Sequence, residues 1–219
     1  MRNNLQLKLL AAVIAAVILV AALTAFYFET QLGSGKQINI RVACVGDSNT
    51  SDTQYVYDLG TILGTNYIVE NFGVGRTTVS LDFDKPYLNQ TANIDAQKFL
   101  PNIVVLMLGT NDAFLSSGQR SNFTSDYKTL ITQFQALKSN PKIFLVVPPP
   151  VFNNTIGLPP TVLGNDVIPL VRQTANELVL PLIDGYTPLV NHPEYFKDGV
   201  HLNSQGSEIM ATQVFNAIT

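Results

Sequence analysis

Residues Ile103 to Leu108 form an unbroken apolar run, rich in β-branched side chains, that stops at Gly109. A run so short and so uniformly apolar reads as a strand covered on both faces, the kind found in parallel sheets with helices on either side. Ile38 to Val45, largely apolar and β-branched before Gly46, Tyr67 to Phe72 before Gly73-Val74-Gly75, and Ile143 to Val147 before Pro148, Pro149 and Pro150 read as further strands. Leu182 and Ile183 predict a short fifth strand. Between these runs the apolar residues take helical spacing, at Tyr55, Leu59, Ile62 and Leu63, at Tyr127, Leu130, Ile131, Phe134 and Leu137, and at Val167, Leu170, Val171, Leu178 and Val179. The last of these tolerates Pro169 in its first turn, and a final helix is expected from about Ser204 to the end. Strands alternating with helices imply right-handed βαβ units, a mainly parallel sheet and a three-layer α/β sandwich. The sequence shows no internal repeat and no second globular domain.

The N-terminus has a different character. Leu9 to Phe28 is almost wholly apolar, interrupted by Thr24 and the amphipathic Tyr27, and about 20 such residues span a bilayer as a helix. Arg2 and Lys8 precede the run and Glu29 follows it, which favours an N-inside orientation with the rest of the chain outside the cytoplasm. A cleaved signal peptide is the alternative, leaving a secreted protein. The length of the run and its ending in Phe26-Tyr27-Phe28 favour an uncleaved anchor, since a signal core is typically ~7–15 residues and ends at small residues. The expected organisation is an anchor or signal at 1–29, a short tether at 30–37 containing Gly33, Ser34 and Gly35, and a globular domain at 38–219.

Charge narrows the class of partner. The net charge is -3 and no basic stretch stands out, so the electrostatic footprint of a nucleic-acid binder is missing. The single cysteine, Cys44, lies inside the first strand; it has no internal disulfide partner and is expected to pack as a small buried hydrophobe.

In an open parallel sheet, ligands bind at the carboxyl ends of the strands. Ser48 follows the first strand, Gly75 the second and Asn111 the third, while Asp198 and His201 precede the last helix. An ester-hydrolysing serine needs a base, a carboxylate to orient that base and donors for the oxyanion. Of the two histidines, His201 lies three residues after Asp198, within reach of its carboxylate, whereas His192 is followed by Pro193 and has no comparably placed carboxylate.

These residues resemble a family. Gly46-Asp47-Ser48-Asn49-Thr50, Asn71-Phe72-Gly73-Val74-Gly75, Gly109-Thr110-Asn111-Asp112 and Asp198-Gly199-Val200-His201 are similar, in order, to the blocks of the SGNH (GDSL) hydrolases. The resemblance implies a flavodoxin-like, five-stranded α/β/α fold over 38–219, no metal and no organic cofactor. It makes Ser48 the nucleophile, His201 the general base and later acid, and Asp198 the orienter. The oxyanion donors would be the Ser48 N–H, a glycine N–H from the second block and the Asn111 amide. The family usually has one more residue between the second-block Asn and its glycine, so Gly75 is the expected donor and Gly73 the reserve. Many members carry Leu where this chain has Asn49, a change expected to be neutral for the chemistry.

The expected substrate is a small-molecule, lipid or glycan ester; lipase, carbohydrate deacetylase and thioesterase are not separated by the sequence. A catalytically inactive domain that binds glycan or lipid at the cell surface is the alternative, and the intact triad argues against it. An α/β-hydrolase elbow would need glycine at Thr50, a dinucleotide fingerprint would need glycine at Thr78, and Asp198 with His201 supply only two of the ligands a zinc site needs. Arg76 is read as a turn residue rather than a substrate contact. Glycosylation sequons stand at Asn49, Asn89, Asn122 and Asn153, and one at Asn49 would block the site if modified.

Overall fold

The computed structural model describes residues 2–33 and 39–219, with side chains in the first segment described for Lys8 and for 13–27. The chain forms two compact units that divide between Ile38 and Asn39. In the first, helix α1 runs Arg2–Gly33. It therefore continues through Thr30 to Gly33, where a tether was expected; the remainder of the tether falls outside the described residues. Val13, Ile14, Val17, Ile18, Leu23 and Phe26 are all more than half exposed, so this stretch is apolar around its whole circumference. Residues 13–27 rise about 22 Å as a helix, short of a ~30 Å hydrocarbon core. Among the described residues no helix is long and apolar enough to cross a membrane. The expected transmembrane span from Leu9 to Phe28 thus lacks structural support, its two ends lying outside the described side chains.

The second unit holds a five-stranded parallel sheet of β1 (Ile40–Gly46), β2 (Tyr67–Gly73), β3 (Ile103–Met107), β4 (Lys142–Val147) and β5 (Leu182–Asp184). Their spatial order is β2-β1-β3-β4-β5, the flavodoxin-like arrangement, in which the order reverses between β1 and β3. β3 is buried along its whole length and β1 from Val42 onward, where its sequence is apolar. Alternate residues serve opposite layers. Val42, Cys44, Val105 and Met107 pack with Tyr55 and Leu59 of α3 (Tyr55–Leu63) and with Met210 and Val214 of α8 (Ser204–Ile218). Ala43, Val45, Val104 and Leu106 pack with Ala96 of α4 (Thr91–Lys98), Tyr127 and Ile131 of α5 (Phe123–Gln135), and Val171 of α7 (Ile168–Glu177). Between β1 and α3 lies a single short turn of helix, α2 (Ser48–Ser51).

Pro169 stands in the first turn of α7, as expected. The chain ahead of it is already helical, beginning at α6 (Pro160–Val162) and passing through a wider π-type turn at Leu163–Val167 before α7. The wider turn suits a residue that lacks an N–H and crowds the carbonyl four positions back. The run is also tied to the loop after β3, because Arg120, itself buried, bonds Asp166 at 2.8 Å and donates to the Leu115 carbonyl.

The loops that follow β2 and β3 are joined by one buried carboxylate. Asp112, fully buried, accepts from the backbone N–H groups of Val79 (3.0 Å) and Ser80 (2.9 Å). Burial pushes its carboxyl up to about 7, against the pull of those two N–H groups, and the nearby charge of Asp47 adds to the rise. An unfolded aspartate titrates near ~3.9, so between these values the folded chain keeps a proton that the unfolded chain has lost. The contribution of Asp112 to stability is then complete below about pH 4 and is lost as the pH rises through about 7. Melting temperatures of the wild type and Asp112→Asn should show the wild type losing ground to the variant between pH 5 and pH 8. A difference that stays flat over that range would mean Asp112 is ionised in the fold throughout.

Candidate active site

β1, β2 and β3 end side by side, with Gly46 paired to Gly73 on one side and to Met107 on the other. A Cβ at Gly46 would lie 2.1 Å from Thr50 Oγ1 and 2.5 Å from the Met107 carbonyl oxygen. Only glycine lets the chain turn this tightly from β1 into α2. Asp47 caps α2 by accepting from the Asn49 N–H at 3.0 Å, and Ser48 occupies the first helical position, where backbone N–H groups lack partners inside the helix. Burial pushes the Asp47 carboxyl up to about 6.

Asp198 and His201 come from the loop before α8. Asp198 Oδ1 accepts from the Val200 and His201 N–H groups (3.0 and 2.8 Å), while Oδ2 lies 2.7 Å from His201 Nδ1. Partial burial works against the Asp198 charge, yet the bonds from the His201 ring and the two amides outweigh it and hold the carboxyl below its ordinary value. An ionised carboxylate can only accept, so Nδ1 carries the proton and Nε2 presents its lone pair. That lone pair faces Ser48 Oγ at 2.9 Å. The loop reaches this place through Gly199, whose φ is 83° and where a Cβ would lie 2.5 Å from the Asn153 carbonyl oxygen. Ser48, Asp198 and His201 thus form one continuous hydrogen-bonded chain.

Ser48 and His201 open into a cavity of about 660 Å³ that Gly75 and Asn111 also line. The Asn111 side chain is anchored by donating from Nδ2 to the Thr77 carbonyl at 3.0 Å, and its amide nitrogen carries a second hydrogen. The two candidate glycines separate here. The Gly73 N–H is already engaged by Asn71 Oδ1 at 2.9 Å, and Gly73 is not among the lining residues. Gly75 does line the cavity, and among the described residues nothing accepts from its N–H. Asp112 ties the loop after β2 to the loop after β3, from which Thr77 and Asn111 face each other.

Several residues stand differently from expectation. Arg76 is a turn residue with φ at 65°, as read, but it also borders the cavity. Asn49, expected to be neutral, is fully buried and bonded on both sides of His201, donating to the Val200 carbonyl and accepting from the Leu202 N–H, each at 3.2 Å. That burial puts its sequon out of reach in the folded domain, whereas Asn89, Asn122 and Asn153 are exposed. His192 does have a carboxylate, Glu194, at 2.8 Å from Nδ1, but it stacks on Tyr195 in an exposed loop and borders no part of the cavity. The apolar lining, Phe83, Phe114, Ile156, Leu158 and Val200, had no signal in the sequence beyond hydrophobicity. Among the described residues no three His, Cys, Asp or Glu side chains converge as a metal site would require.

The chain is similar to known proteins in sequence and in fold. The GDSL-like Lipase/Acylhydrolase family model matches residues 43–209. An acetylxylan esterase of Xylanibacter ruminicola is 32% identical over 210 residues, covering 84% of this chain and 44% of that protein, so the chain spans less than half the length of this curated relative. Two solved structures share the fold. A carbohydrate acetylesterase from Sinorhizobium meliloti has 18% identity and a TM-score of 0.63, covering 81% of this chain and 97% of that one. A GDSL-like lipase from Bacteroides thetaiotaomicron has 22% identity and a TM-score of 0.64, covering 84% and 88%. The matched segment is more than half of the chain and contains Ser48, Gly75, Asn111, Asp198 and His201, and the chain belongs to the GDSL-like lipase/acylhydrolase family.

Proposed function

We propose that the protein hydrolyses carboxylic esters through an acyl-enzyme on Ser48. The observation that carries this reading is the bonded chain from Ser48 Oγ to His201 Nε2 (2.9 Å) and from His201 Nδ1 to Asp198 (2.7 Å), opening into a cavity. In the first half-reaction Ser48 Oγ attacks the acyl carbon while His201 Nε2 takes its proton, and Asp198 stabilises the resulting imidazolium. The oxyanion accepts from the Ser48 N–H, the Gly75 N–H and the Asn111 amide. The tetrahedral species collapses as His201 returns the proton to the departing alkoxide. A water molecule then attacks the acyl-Ser48 ester with His201 again as base, and the carboxylic acid leaves with Ser48 reprotonated.

Acetyl esters of carbohydrates are the substrates we favour, on the strength of the acetylxylan esterase relative. The cavity suits such a substrate, because Asn111, Arg76 and Asp52 offer polar contacts beside the apolar faces of Phe83 and Phe114. We further propose that the domain, residues 38–219, works outside the cytoplasm, with 1–29 as a membrane anchor and secretion after cleavage as the alternative. Two features support an anchor. The helix from Val13 to Tyr27 is apolar on all sides, and its Thr24 hydroxyl is satisfied internally by the Val20 and Ala21 carbonyls at 3.0 and 2.9 Å.

The chain should hydrolyse nitrophenyl acetate and release acetate from acetylated xylan without added metal. Ser48→Ala and His201→Ala should each abolish nearly all turnover, since nucleophile and base act as one unit. Asn111→Ala should cost on the order of 10²–10³ in kcat, about 2.7–4 kcal/mol, through loss of one donor, and should still react, slowly, with a serine-directed phosphonate. Full activity in folded Ser48→Ala would overturn the proposal. Separately, the full chain should sediment with membranes, and its domain should be cut by protease added to intact cells. A soluble form beginning after the apolar run would mean cleavage, and protection from protease would refute both versions.

A further inference from the structure

The three residues of the reactive chain come from two segments 153 positions apart, and their register has to be set by something other than their own bonds. Bonds inside the second segment fix its shape. Asp198 Oδ1 gathers the Val200 and His201 N–H groups, and the His201 carbonyl accepts from the Lys197 N–H at 2.8 Å. None of these places the imidazole relative to Ser48. Besides the bond from Lys197 Nζ to the Asp52 carbonyl (3.2 Å), which ties the loop to the far end of α2, the contact that does so is made by the residue joined to Ser48 by a peptide bond. Asn49 Nδ2 donates to the Val200 carbonyl and Asn49 Oδ1 accepts from the Leu202 N–H. These are the peptide groups immediately before and after His201.

We infer that Asn49 is a positioning residue, its side-chain amide clamping the two peptide groups that flank His201 and so holding Nε2 at bonding distance from Ser48. This rests on the esterase reading above. The residue is fully buried, and its own backbone is held as well, the N–H by Asp47 at 3.0 Å and the carbonyl by the Thr53 hydroxyl at 2.6 Å. The clamp therefore stands on a fixed base. It needs an amide, because one end must donate and the other accept. Leucine can do neither, and an ionised aspartate can only accept.

The test compares Asn49→Leu, Asn49→Asp and Val214→Ala in the full chain. Val214 is a fully buried residue of α8 remote from the cavity lining, so its truncation controls for loss of stability alone. Displacement of a base by a fraction of an ångström to an ångström lowers kcat by ~10- to 100-fold. Asn49→Leu should show a loss of that size on nitrophenyl acetate with KM within about twofold, and phosphonate labelling of Ser48 should slow in parallel. Asn49→Asp, which keeps the Leu202 bond, should fall between it and the wild type; should Asn49→Leu fail to fold, Asn49→Asp with Val214→Ala carries the comparison. Wild-type kcat and labelling in either folded Asn49 variant would overturn the inference. So would an equal loss of kcat in Val214→Ala at a matched drop in melting temperature. An inactive wild type, or an active Ser48→Ala, would instead point to failure of the esterase reading itself.

Discussion

The close approach of β1 to the turn that follows it is the constraint on which the site depends. β1 lies between β2 and β3, and at Gly46 its backbone passes so near Thr50 and the Met107 carbonyl that no side chain fits. Because the three strands end at one level, the segments leaving them are brought together without long loops. Ser48 emerges from β1, Gly75 from β2 and Asn111 from β3, all within seven residues of their strands. The reversal of strand order at this point leaves a crevice that no crossover helix covers. The core beneath is unexceptional; what it supplies is a rigid edge from which short segments project.

Two buried carboxylates stand under that edge, and both carry the cost of desolvation. Asp47 caps α2 and Asp112 ties the loop after β2 to the loop after β3. Burial raises both, to about 6 and about 7, and the charge of Asp47 adds to the rise at Asp112. An apolar core would be cheaper in free energy than such groups. Neither carboxylate could be replaced by an apolar side chain without leaving the N–H groups of Asn49, Val79 and Ser80 unpaired, which is the larger penalty. The edge of the sheet thus has two buried polar groups that accept from backbone N–H groups of the segments leaving it.

Strands and site were legible in the sequence to different degrees, for physical reasons. β3 declared itself because a strand covered on both faces must be apolar at every position, as β1 is from Val42 to Val45, and the Asp198–His201 pair did because its members are three residues apart. α4 was not foreseen: in Thr91–Lys98 only Asn93 and Ala96 are buried, so no apolar stripe marks it. The π-type turn before Pro169 depends on bonds one residue longer than the helical pattern and leaves no trace in side-chain periodicity. The bonds of Asn49 and Asp112 could not be read because their partners lie far along the chain, 151 and 33 residues away. Glu194 beside His192 was missed for the opposite reason, its offset of two residues not being one from which regular structure predicts contact.

Arg76 shows how the donor loop is held in a conformation that it would not choose. Its φ of 65° lies in the left-handed region, where a residue with a Cβ is disfavoured by about 1–2 kcal/mol. Such strain persists only where the neighbours leave no alternative. Here the Val74 carbonyl accepts from both the Thr77 N–H and the Thr77 hydroxyl, at 3.3 and 2.8 Å, closing the turn from the far side. Lys85 donates to the Gly75 carbonyl at 2.8 Å and so orients the peptide between Gly75 and Arg76. The Val74 N–H is in turn fixed to the Gly46 carbonyl at 2.9 Å, which returns the turn to β1. With both ends of the turn bonded, Gly75 is held at the cavity wall with no acceptor for its N–H among the described residues, and the strained Arg76 backbone is part of the turn that holds it there.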